Sequence, residues 1–111
     1  MIDLVLDTNV IIDFLRGDER ILDFWRKRVS GHRVAVSQIT RMELLSAPGI
    51  TLSDQASIKD LLRGFCVEGV SDAVEERAVT LRRDCRIKLP DAIIAATASL
   101  LRVPLPGHGG W

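Results

Sequence analysis

"LVLDTNVIIDFLRG", residues 4–17, decides the fold, because its periodicity changes around a single acid. Leu4, Val5 and Leu6 form an unbroken apolar run, the pattern of a short strand covered on both faces. Val10, Ile11, Phe14 and Leu15 follow at helical spacing. Asp7 stands between the two, where an unaccompanied carboxylate is costly to bury. Asp-Thr-Asn is good N-cap chemistry, so one duty open to Asp7 is to accept from the first N–H groups of the helix. The other is to meet a cation.

The same alternation runs outward through the chain. Residues 2–6 read as a strand, and residues 9–16 and 19–29 as helices. "RVAVS" (33–37) reads as a second strand, with Ser37 placed to cap a helix carrying Ile39, Met42 and Leu45. Pro48-Gly49 ends that helix. Ile58, Leu61, Leu62 and Phe65 make an i, i+3, i+4, i+7 stripe. "CVEGV" (66–70) reads as a third strand. Asp72 and Glu75 predict a capping box for a helix whose apolar face is Val74, Ala78, Leu81 and Cys85. Pro90 suits the first turn of a last helix, and "DAIIAATASLL" is apolar almost all round, so that helix belongs inside. "VPL" (103–105) reads as a final strand, followed by a flexible tail, 106–111. This βαβ order predicts one α/β domain over residues 1–111, a short, mostly parallel sheet flanked by helices in three layers. In such sheets ligands gather at the carboxyl ends of the strands, and Asp7 lies at one.

Composition narrows the classes. The chain has 111 residues, enough for one core and too few for two. Fifteen basic residues cancel fifteen acidic ones, so nucleic-acid binding requires a local patch. Arg26-Lys27-Arg28 is one such group; Arg82, Arg83, Arg86 and Lys88 are another. Cys66 and Cys85 lack metal-ligand spacing and fall in apolar patterns, which predicts reduced core residues of a cytoplasmic protein. Met1-Ile2-Asp3 has no basic leader region, and the apolar run 92–101 is too short for a membrane span.

Two further acids share Asp7's position problem. Glu43 follows Met42 and lies four residues after Ile39, toward the apolar side of its helix. Asp91 follows Pro90 in the first turn of the most hydrophobic helix. Convergence of the three predicts a cation, since two carboxylates about 5 Å apart repel by roughly 3 kcal/mol at an effective dielectric near 20. Oxygen-only ligands favour a hard ion, Mg²⁺ or Mn²⁺, and His32 and His108 are not spaced as a zinc pair.

"LDTNVIIDFLRG", "VSQITRMELL" and "LPDAIIAATASLL" resemble, in order and spacing, the three signature blocks of the PIN-domain family, and most closely the VapC-type toxins of bacterial toxin–antitoxin pairs. The resemblance runs from residue 2 to about 105. It implies a PIN-like fold and a Mg²⁺- or Mn²⁺-dependent endoribonuclease with Asp7, Glu43 and Asp91 as catalytic metal ligands. Thr8 would support them by hydrogen bonding; Asn9, Ser37 and Thr40 match polar positions without an assigned role. It further implies an RNA substrate, a small antitoxin partner and a homodimer, with the Ile58–Phe65 stripe available to either surface or to the core. The C-terminus departs from the family pattern: "PLPGHGGW" replaces the usual Thr-x-Asp or Thr-x-Asn segment and final strand, and no acid follows Asp91. Reduced activity is expected from that departure. The alternative is a catalytically weakened PIN-fold binding module that keeps its antitoxin or dimer contacts. A phosphoreceiver domain also clusters acids at strand ends, but its acidic pair, mid-chain acceptor and late lysine have no counterparts here.

Overall fold

A computed structural model describes residues 1–106 of the chain. Three parallel strands, β1 (Leu4–Val5), β2 (Val34–Ser37) and β3 (Cys66–Glu68), lie in the order β1-β2-β3. Leu4 pairs with Val34 and Ala35 with Cys66. Among the described residues, six α-helices surround or follow the strands: α1 (Thr8–Leu15), α2 (Glu19–Phe24), α3 (Gln38–Leu45), α4 (Leu52–Arg63), α5 (Asp72–Cys85) and α6 (Leu89–Leu101). Residues Trp25–Val29 prolong α2 as a π-helical turn, so the expected single helix 19–29 changes geometry midway.

Strand alternation divides the core. Leu4, Leu6, Val34 and Val36 face one way, onto Val10 and Ile11 of α1, Trp25 and Val29, Leu44 of α3, and Ile58 and Leu62 of α4. Val5 and Ala35 face the other way, onto Ile94 and Ala98 of α6. Both faces of β1 and β2 are therefore covered, which is why their sequences read as continuous apolar runs. A third cluster, Val74 and Ala78 of α5 against Ala92 and Ala96 of α6, joins the last two helices through small side chains. Truncating Ile58 or Leu62 to Ala should cost about 2–5 kcal/mol, the range for emptying a filled aliphatic site. Ile58 and Leu62 of the α4 stripe are thus buried in the core, with Leu61 and Phe65 packed against it.

Four expectations are corrected. Residues 103–105 do not form a strand, although Val5 N–H donates to Pro104 O at 3.0 Å beside β1; Pro104 itself has no N–H with which to continue a ladder. Helix α5 is capped by Ser71, which accepts from Val74 N–H, and not by an Asp72–Glu75 box. Met42 is 56% exposed and Leu44 is buried in its place. Cys66 and Cys85 are free but exposed, because β3 is a sheet edge and Cys85 closes α5 in solvent. The Cys66 thiol pKa is raised, first by its hydrogen bond to the Glu68 carboxylate and then by desolvation. Residues 107–111 of the expected tail, His108 included, lie outside the described residues. No described helix is long and apolar enough to cross a membrane.

Candidate functional site

The end of β1 is held before the site begins. Leu6 N–H donates to Ala35 O at 3.1 Å, which ties the residue before Asp7 to the middle strand. Asp7 then turns the chain into α1 as its N-cap: φ and ψ are −74° and 150°, and Oδ1 accepts from Asn9 N–H at 3.2 Å. With Asp7 only 5% exposed, one carboxylate oxygen engages the helix start at the carboxyl edge of the sheet.

Ser37 performs the same manoeuvre at the end of β2. It is fully buried, and its Oγ accepts from Ile39 N–H at 3.1 Å to start α3. The parallel pairing of β1 and β2 sets the starts of α1 and α3 side by side, and the two helices pack together. Thr8 in the first turn of α1 then reaches across to α3. Its Oγ1 lies 3.0 Å from Thr40 Oγ1 and 2.8 Å from Glu43 Oε1. A hydroxyl has one proton. The Thr8 proton goes to the carboxylate, the stronger acceptor, which leaves the Thr40 hydroxyl to donate to Thr8 oxygen. Thr40, fully buried, is thereby satisfied, and Glu43 is fastened to the residue that follows Asp7.

Glu43 is exposed despite this anchor, and so is Asp91 in the first turn of α6. Helix α6 packs on α3, β1 and β2. Among the described residues, no group of three or more His, Cys, Asp or Glu side chains stands in an arrangement that holds a metal ion. Asp7 and Glu43 are joined through Thr8, while Asp91 comes from a separate element. The donor chemistry is uniform: carboxylate oxygens, one buried and two solvent-facing, with no thiolate or imidazole among them, the set that suits a hard divalent cation.

A groove of about 370 Å³ opens beside Glu43, between α1, α3 and α4. Ile12, Leu44, Pro48 and Ile58 form its apolar wall, with Arg16 and Asp54 at its polar positions. Sequence reasoning missed this groove, and it left Thr40 without a role. Thr40 had a legible signal: it lies three residues after the buried cap Ser37, a helical turn along the same side of α3.

Residues 4–105 match the PIN domain family, and the chain belongs to it. Among solved structures it is similar to a chain of a toxin–antitoxin complex from Klebsiella pneumoniae, with 33% sequence identity and a TM-score of 0.81, over 93% of this chain and 83% of that one. It shares its fold with DNA-bound VapBC from Salmonella typhimurium (21% identity, TM-score 0.77, 95% of this chain and 85% of the other). It also shares it with VapBC2 from Rickettsia felis bound to a promoter DNA fragment (19%, 0.76, 95% and 86%). No curated protein matches the chain.

Proposed function

We propose that this PIN domain is a VapC-type nuclease, the toxin of a toxin–antitoxin pair, and that it cuts RNA with Mg²⁺ or Mn²⁺ held by Asp7, Glu43 and Asp91. The observation that carries the reading is the Thr8 bridge. It fixes an exposed glutamate on α3 to the strand end that carries a buried aspartate, spending a hydrogen bond to orient a carboxylate that α3 itself does not need. The family and the likeness to a toxin–antitoxin complex support it.

An ion bound there would supply Lewis acidity toward a phosphoryl oxygen and a water acidic enough to ionise near neutral pH. The protein's own contribution is placement. Asp7 is fixed by its capping bond and the β1–β2 ladder, so its position does not depend on a flexible loop. The Thr8 hydrogen bond restrains the Glu43 carboxylate, which would lower the entropy lost on coordination. Asp91, exposed in the first turn of α6, gains from the helix dipole as an anion and would supply the third carboxylate. The proposed partner is a small antitoxin protein. The groove beside Glu43, apolar with Arg16 and Asp54 at its polar positions, suits an amphipathic segment whose occupancy would cover the site. A cytoplasmic homodimer completes the reading.

The test is cleavage of single-stranded RNA by the purified chain with Mn²⁺, with EDTA, and for Asp7→Asn. Asn caps a helix about as well as Asp, so this change removes the charge and keeps the turn. The expected result is metal-dependent cleavage by the wild type that falls at least 100-fold in Asp7→Asn. A chain that is folded and inert toward RNA with Mn²⁺ contradicts the nuclease and favours a binding module.

A further inference from the structure

We propose that the corner between α5 and α6 is a track for the backbone of single-stranded RNA, with Arg86 and Lys88 as its phosphate contacts leading the strand to Asp91; this rests on the nuclease reading of Asp91.

In a chain of zero net charge, residues 82–88 hold four cations, Arg82, Arg83, Arg86 and Lys88, against one acid, Asp84. All four cations are exposed, and among the described residues none forms an ion pair. Ordinary helix electrostatics accounts for Arg82 and Arg83, which stand in the last turn of α5 where the dipole favours positive charge. Arg86, the C-cap of α5, shares that dipole benefit but not a favourable backbone, and Lys88 has neither the dipole nor a capping side chain in its favour. Arg86 lies beyond the helix, in left-handed backbone at φ 55° and ψ 36°, a conformation that favours glycine. Lys88 is the N-cap of α6, where the dipole opposes a cation and a Ser, Thr, Asp or Asn would satisfy an N–H group. The other five α-helices all have such side-chain caps, from Asp7, Asp18, Ser37, Thr51 and Ser71. The corner thus keeps charge at positions where folding alone favours something else, which is the pattern of a site retained for binding.

Place in the chain decides what it binds. Lys88 precedes Asp91 by three residues, less than one helical turn, about 4.5 Å along the axis. Ile87 packs against the α5–α6 cluster and fixes the corner between the two cations. The other basic group, Arg26-Lys27-Arg28, ends a segment that feeds the start of β2, the sheet edge opposite the acids, and Lys27 is paired with Asp23 at 3.1 Å. A polyanion held at Arg86 and Lys88 runs directly to an acid of the proposed centre; one held at Arg26 and Arg28 does not.

The experiment measures binding of a fluorescein-labelled 12-nucleotide single-stranded RNA in EDTA, where no metal-dependent cutting occurs, over a range of salt concentrations. The proteins are wild type, Arg86→Gln/Lys88→Gln and, as a control with the same change of charge, Arg26→Gln/Arg28→Gln. The expected result is at least a tenfold loss of affinity for the corner variant, a salt slope shallower by about 1.4, and little change in the control. Unchanged affinity and slope in the corner variant, equal losses in the two variants, or no binding by the wild type would overturn the track. So would a loss of binding to a polyglutamate peptide without a loss for RNA. Metal-dependent cleavage is read separately. A wild type that cuts RNA while the corner variant binds normally removes the track and keeps the nuclease; corner-dependent binding without any cutting keeps the track and removes the nuclease.

Discussion

Thr8 is the residue on which the site's internal order depends. Its hydroxyl serves two masters, a buried threonine and a solvent-facing glutamate, and no other described side chain joins α1 to α3 by a hydrogen bond. Thr8→Val keeps the shape and deletes the hydroxyl. The Thr40 hydroxyl, fully buried, then loses a partner, at about 1–3 kcal/mol. For a domain of this size that lowers the melting temperature by roughly 4–13 °C. Cleavage should fall further than stability explains, because Glu43 is released, while Thr8→Ser should recover most of both. Thermal unfolding and cleavage rates measured on the three proteins check this; a Thr8→Val protein that melts lower but cuts as fast as wild type would show that the bridge is only structural. At this scale Asp7 was legible from its place between two periodicities. Glu43 was read as facing the apolar side, whereas it is exposed and held by a neighbour. The hydrogen bond that holds it comes from Thr8, 35 residues earlier in the chain, and leaves no local pattern.

At the scale of elements, turn and cap chemistry was mostly readable. Ser37 caps α3 and Pro90 lies in the first turn of α6, as their positions imply. The Thr51–Asp54 capping box that opens α4 was equally available to reading and was passed over in favour of the apolar stripe behind it. Conversely, Asp72 and Glu75 matched a box by spacing, but Ser71 one residue earlier took the cap. The two cysteines misled because periodicity reports which face of a helix or strand is apolar, and not whether another element covers it. Lys88 is the element-level feature with the clearest energetic consequence. Its backbone, φ −67° and ψ 150°, matches that of Ser37, φ −71° and ψ 148°. Lys88→Ser should therefore add a cap and stabilise the fold by about 0.5–1.5 kcal/mol in a urea titration, with an unchanged m-value. A destabilised Lys88→Ser protein would mean that the lysine already makes a favourable contact in the folded chain.

For the molecule as a whole, the three-layer PIN fold was legible because its sheet is parallel and covered twice. The strands β1 and β2 are therefore continuously apolar, and Asp7 at the end of β1 stands out against that background. What the sequence pattern did not contain is how the three acids sit relative to one another, since Asp7 caps α1, Glu43 lies on α3 and Asp91 opens α6, elements that only tertiary packing relates. The central claim is that these acids share one divalent ion. Crystals of the chain grown with millimolar Mn²⁺ and measured at the manganese absorption edge test it most directly. The account predicts a single anomalous peak at the carboxyl edge of the sheet, bounded by oxygens of Asp7, Glu43 and Asp91, and absent from Asp91→Asn crystals. Density in which these carboxylates stay apart with no peak between them, or a Mn²⁺ ion bound without Glu43 and Asp91, would contradict it.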